Sequence, residues 1–168
     1  SQEAIEEIAK LLPEAEKAQK NAKAVFEDNK MLDQIRKTQD GFDKALKSDY
    51  ISKLQESIDS GVIKEGDGSR LMLDSALKEM GIATGAYRQQ IIDKIFTDGM
   101  TIQQAIQEVS AEYDAGSADK VQSAKTASTE YVNTLGLLYS KGIITLDEAK
   151  AGLGSVNFNE IDTSTLGT

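Results

Sequence analysis

The sequence contains no cysteine and no histidine. Without cysteine there is no disulfide, no thiolate metal site and no thiol nucleophile. Without histidine the commonest general base, the commonest zinc ligand and the usual near-neutral proton switch are all missing. Tryptophan is absent as well, aromatics make up 5% of the residues, and there is one proline. A core must therefore be assembled from Leu, Ile, Val, Met and Ala, and alanine-rich faces let helices approach closely. Positive charge is in short supply. Against 28 Asp and Glu stand 19 Lys and Arg, leaving a formal net charge of −9. Such a surface repels phosphate backbones and anionic headgroups, so no nucleic-acid partner is expected. No apolar run approaches the roughly 20 residues of a membrane span, so no membrane insertion is expected. The start, Ser1-Gln2-Glu3, has neither a basic nor an apolar signal region. The expected location is cytoplasmic or within an assembled particle.

What remains is the grammar of helices. The 168 residues suffice for one domain with an appended arm. Apolar and small residues recur at alternating spacings of four and three through Ala4, Ile8, Leu11, Ala15, Ala18, Ala22, Val25 and Leu32, with Asn29 in the one polar position. This is a heptad a/d seam with Asn at an a-type site, the arrangement that sets register in coiled coils. It predicts a long helix over 1–40, docked on its own bundle or on another chain, with a kink or break near Pro13. Gln39-Asp40-Gly41 is expected to end it. A second helix over about 42–60 then presents Phe42, Leu46, Ile51, Leu54 and Ile58 on one face.

Beyond it a junction repeats four times, a glycine stop followed at once by an apolar residue: Gly61-Val62, Gly81-Ile82, Gly99-Met100 and Gly142-Ile143. Glycine after the last helical residue takes a left-handed conformation at little cost, and the next apolar side chain packs back on the last turn. Threonine follows three of these stops, at Thr84, Thr101 and Thr145. Thr101–Gln104 and Thr145–Glu148 have capping-box spacing. Ser69 and Ser117 are expected to cap helices in the same way. The helices are thus predicted at about 69–80, 84–98, 101–115, 117–141 and 145–152. After Gly154 the helical period is lost, and Val156, Phe158, Ile161 and Leu166 stand as isolated apolar residues among Ser, Thr, Asn and Gly. The fold class expected is all-α: a multi-helix bundle at 41–153 preceded by the long helix and followed by an extended arm at 154–168.

Three strings carry candidate chemistry. Ser117-Ala118-Asp119-Lys120 has the Ser-x-x-Lys spacing of serine acyl-enzymes. Glu65-Gly66-Asp67-Gly68 concentrates carboxylates on a loop but lacks the alternating ligands and closing Glu of a calcium loop. Gln55-Glu56-Ser57 resembles the Glu-Ser pair of lytic transglycosylases, and Arg70-Leu71-Met72-Leu73 echoes a second stretch of that family. The resemblance implies a glycan-cleaving enzyme with Glu56 as general acid and base. Gly142-Ile143-Ile144-Thr145-Leu146-Asp147-Glu148-Ala149 resembles the turn of small C-terminal helix-turn-helix oligomerisation segments of the SHOCT type. No cofactor or metal is expected.

The leading expectation is a non-enzymatic structural, assembly or protein-interaction module. Helical bundles with terminal arms occur among virion assembly and connector components of tailed phages, an analogy of fold alone. Partner or self contact is expected through Ala15, Ala18, Ala22, Val25, Asn29 and Leu32 of the seam, and through Phe158 and Ile161 of the arm. The alternatives are the glycan-cleaving enzyme and a bundle that holds a small apolar molecule.

Overall fold

The computed structural model describes residues 1–161 and Leu166, the side chain of Gln19 excepted. Among them the structure is all-α, with helices α1 (Gln2–Leu46), α2 (Asp49–Asp59), α3 (Asp67–Glu79), α4 (Gly85–Phe96), α5 (Ile102–Ser140) and α6 (Leu146–Leu153), then a 3₁₀ turn at Phe158–Glu160. No described helix is long and apolar enough to cross a membrane. Two compact units result: unit 1 comprises Ser1–Asp33 and Asp119–Thr168, and unit 2 comprises Gln34–Ala118. The two longest helices, α1 and α5, each contribute residues to both.

The glycine stops behave as the sequence requires. Gly61, Gly81, Gly99 and Gly142 have φ of 78°, 105°, 70° and 75°, and no other described residue lies in that left-handed region. The following chain folds back. The Ile82 amide donates to the Leu77 carbonyl at 3.2 Å and the Ile143 amide to the Leu138 carbonyl at 2.9 Å, which satisfies carbonyls that a helix end leaves unpaired. Capping boxes form at both expected places. The amide of Gln104 donates to the Thr101 hydroxyl while the Thr101 amide donates to the Gln104 side chain, both at 3.1 Å. Thr145 and Glu148 make the same reciprocal pair. Thr84 stands at the N-cap of α4 but makes no side-chain cap bond.

Elsewhere the chain departs from its local signals. α1 does not break at Pro13, which lies inside a helix of 45 residues. A proline inside a helix costs about 3 kcal/mol because it removes one amide and crowds the carbonyl four residues back. Here Pro13 and Ala9 are both exposed, so water reaches that carbonyl. Nor does α1 end at Gly41. Gly41 is buried, and a Cβ placed there would lie 2.6 Å from the backbone carbon of Gly81. The residue is a glycine because two backbones touch, and the helix continues to Leu46. The real boundary is Ser48, whose hydroxyl accepts from the Ile51 amide to start α2. Ser69 does not cap α3, which begins at Asp67. Its hydroxyl instead donates to the carbonyls of Lys64 and Gly66 at 2.6 and 2.9 Å, closing the preceding loop. The expected break at Gly116-Ser117 is also absent. α5 runs through it for 39 residues, with Ser117 buried in the helix interior.

Unit 2 has its own core, in which Phe42, Leu73, Leu77, Ile82, Ile91, Ile92, Ile102 and Ile106 are fully buried. Phe42, Tyr87 and Tyr113 stack edge-on or tilted at 5.1–6.4 Å between centroids. The buried Arg88 pins the turn between α3 and α4: its guanidinium meets Asp74 and the carbonyls of Ile82 and Ala83, each at 2.8 Å. Gln55 of α2 accepts from the first amide of α5, at Ile102, at 2.6 Å.

Unit 1 is built on the heptad seam. Ala18 and Val25 of α1 pack with Tyr131, Leu135 and Leu138 of α5, and Leu11, Ala15, Ala22, Ile143, Ile144, Leu153 and Val156 close around them. The arm after Gly154 is packed rather than extended as far as Ile161. Val156 joins this cluster, Asn157 donates to Asp33 at 3.2 Å, Phe158–Glu160 makes a helical turn, and Ile161 is buried. Residues 162–165 and 167–168 of the expected arm lie outside the described residues.

Candidate functional site

Unit 1 carries two grooves and an exposed apolar stripe that suit a ligand or a partner. The seam brings α1 against α5 at alanines, and small side chains leave grooves on either flank of the contact line. One groove, of about 240 Å³, carries a polar rim of Glu14, Lys17, Asn21, Asp28 and Glu130. The other, of about 340 Å³, is mainly apolar and is walled by three helices: Ala15 and Ala22 of α1, Leu135 and Leu138 of α5, and Ala151 and Gly152 of α6. Tyr131 and Ala18 border both. Tyr131 is 7% exposed, and burial pushes its phenol above the ordinary value, so it stays neutral across the physiological range. Its hydroxyl reaches the α6 wall, where a Cβ on Gly152 would stand 2.9 Å from it.

The seam residues expected to meet a partner are largely used at home, which narrows the expectation drawn from them. Ala18, Val25, Asn29 and Leu32 are buried within the chain, and Ala15 and Ala22 are half-buried in the same packing. A residue closed by its own helix partner has no area left to offer another chain. Asn29 keeps the polar a-site character that the heptad implies. Its side-chain amide donates to the Val25 carbonyl at 2.8 Å and approaches the fully buried Ser128 hydroxyl at 3.4 Å, while Oδ1 has no hydrogen-bond partner. Ile161 is likewise buried, whereas Phe158 is exposed.

The open face lies at the beginning of α1 instead. Ile5, Ile8 and Leu12 are 61%, 42% and 51% exposed. Their i, i+3, i+7 spacing places them on one side of the helix. Farther along, Phe26 continues the Ile5–Leu12 heptad position, and the Lys30 ammonium covers its ring at 4.5 Å from the centroid. The first turns are fixed to the unit by Glu7, whose carboxylate pairs with Lys141 at 2.6 Å. That bond holds the Glu7 carboxyl below its usual value. The a/d series takes in only Ile8 of this stripe. Its signal is present in Ile5, Leu12 and Phe26, spaced by multiples of seven beside the seam. Tyr131 and Gly152 carry no such signal, because only the tertiary contact of α5 with α6 gives them a common wall.

The candidate catalytic residues are not brought together. Glu56 is exposed on α2 and borders none of the grooves described above. Ser117 is buried inside α5 one turn before Lys120. The Glu65–Gly68 loop gives way to α3 at Asp67, and Glu65 pairs with Arg70 at 2.9 Å. No group of three or more carboxylates suited to a metal ion is found among the described residues. Compared with known protein families, with characterised proteins and with solved structures, the chain shows no match.

Proposed function

We propose that the chain is a non-enzymatic protein-interaction module whose binding element is the exposed face at the start of α1. One observation carries the reading. Three large aliphatic side chains, Ile5, Ile8 and Leu12, stand 42–61% exposed in register on a helix whose next turns are packed. Covering each would contribute on the order of 1 kcal/mol of apolar burial. Anchors at i, i+3 and i+7 are the pattern by which an amphipathic helix lies in an apolar groove of another polypeptide. The seam behind them holds the helix at Ala18 and Val25 and the Glu7–Lys141 pair fixes its early turns, so the helix is already formed when it binds. A preformed helix avoids the ordering cost that a disordered segment incurs on docking.

The test is site-specific photo-crosslinking in the native host cell. A benzophenone side chain at Ile8 is expected to give a discrete polypeptide adduct. Replacing Ile5 and Leu12 with serine in the same chain should remove it. An Ile8 adduct pattern no different from that of a benzophenone at the exposed Lys20, or one unchanged by the serine pair, would overturn the reading.

A further inference from the structure

The exposed stripe of α1 is larger than its three aliphatic anchors. Phe26 extends it, and Ile5, Ile8, Leu12 and Phe26 are each 42–61% exposed. Together they expose the equivalent of about two whole large side chains, on the order of 400 Å². A stable interface covers about 800 Å² on each partner, a little over half of it apolar. The stripe therefore offers close to the apolar area of one such interface. The charge beside it is sorted along the helix. Residues 2–16 carry five glutamates and one lysine, whereas 17–26 carry three lysines and no acid. Glu16, Lys20 and Lys23 follow the flank of the stripe away from the buried Ala18 and Val25. All three are exposed, and none makes an ion pair among the described residues.

We infer that a second copy of this chain covers the stripe, the two α1 helices packing antiparallel about a two-fold axis. This pairing rests on the reading of the face as a polypeptide-binding element and names its partner. An antiparallel pair sets the acidic turns of each helix against the lysine-rich turns of the other. With Phe26 of one copy over Ile8 of the second, helix spacing brings Leu12 over the half-buried Ala22 and Glu16 beside Lys20. Each contact is made twice, once on either side of the axis. A parallel pair would instead set Glu16 against Glu16 and Lys23 against Lys23, and like charges so placed oppose association. Two chains of net charge −9 repel one another, and the local match of acid to lysine offsets that repulsion at this face.

The experiment is sedimentation velocity of the purified full chain across a dilution series. The expected result is a reversible monomer–dimer equilibrium with a midpoint in the micromolar range. Glu16→Lys should weaken it about tenfold, since the change acts on both copies and turns attraction into repulsion. Adding Lys20→Glu to the same chain should restore it, a rescue that a partner of different sequence would not give. The orientation is read by disulfide capture, and the absence of cysteine makes single cysteines unambiguous. Under mild oxidation Ile8→Cys mixed with Phe26→Cys should give the crosslinked pair in preference to either variant alone. Preferential capture of Ile8→Cys by itself, or a Glu16→Lys variant that associates like the parent, would overturn the antiparallel pairing. So would a chain that stays monomeric at every concentration. If that monomer still gives the Ile8 benzophenone adduct with another polypeptide in the host cell, the self-pairing fails and the interaction reading stands. If it gives none, both fail.

Discussion

Two glycines inside helices show how differently one residue type can be used. A methyl group on Gly41 would meet the Gly81 carbon at 2.6 Å, its oxygen at 2.7 Å and the Ile82 nitrogen at 3.0 Å. All three are backbone atoms, which cannot swing aside. Gly41→Ala should therefore lower unfolding stability by about 2 kcal/mol, the overpacking cost exceeding what alanine gains as a better helix former. Gly116 is exposed in the middle of α5, and a methyl group added there would have nothing within 4 Å. Gly116→Ala should raise stability by about 0.5–1 kcal/mol. Urea titrations of the two variants should move in opposite directions, and equal shifts would refute the contact. The polar pair in the seam is a second test at this scale. Asn29 Oδ1 is buried without a partner and Ser128 is fully buried opposite it. Replacing both partners of a poorly satisfied buried pair with apolar groups of similar shape is neutral or stabilising. Asn29→Val with Ser128→Ala is thus expected to gain about 1 kcal/mol, and a lower urea midpoint for the double variant would show that the pair stabilises the native seam.

At the level of elements, the decisive object is α1. Its two stretches obey different rules: the turns from Ala18 onward bury most of their apolar side chains, with Phe26 among the exceptions, whereas Gln2–Lys10 is exposed throughout. The tie for that exposed stretch is the Glu7–Lys141 pair. Its hydrogen bond and the Lys141 charge lower the Glu7 carboxyl pKa in the folded chain. A carboxyl whose folded value lies below the unfolded one, about 4.3, contributes stability above that value and loses it as pH falls through the folded one. Thermal unfolding of Glu7→Gln should accordingly trail that of the parent at pH 6–7, and the gap should close in acid below about pH 4. Glu7 is exposed, so the gap will be small and will shrink with added salt. A gap that persists at acid pH would mean that the carboxylate is not its source.

For the whole molecule, the relevant contrast is between what each unit buries and what it leaves open. Ile5, Ile8 and Leu12 sit outside both hydrophobic clusters. Serine at all three positions should leave the unfolding transition within about 0.5 kcal/mol of the parent, as surface substitutions generally do. The same variant should lose the crosslinked partner. A large loss of stability would instead place the stripe in the folded core of the chain.

Much of this architecture was legible in the sequence because its causes are local. A glycine's left-handed freedom and a threonine's reach to the third amide operate within a few residues, so the four stops and two of the three threonine caps stand where the sequence puts them. The heptad seam was legible too, since periodicity records which side of a helix is dry. What the sequence could not say is which surface dries it. That choice fell to α5, and it turned Ala18, Val25 and Asn29 inward while leaving Ile5, Ile8 and Leu12 uncovered. Gly41 and Gly116 carried the same local signal for a helix end, and both were overruled. At Gly41 the tertiary structure brings a second backbone against the helix, and at Gly116 the helix simply continues. The apolar groove belongs wholly to this second kind of information. Tyr131 and Gly152 share a wall only because packing sets α6 against α5, and no spacing along the chain encodes that contact.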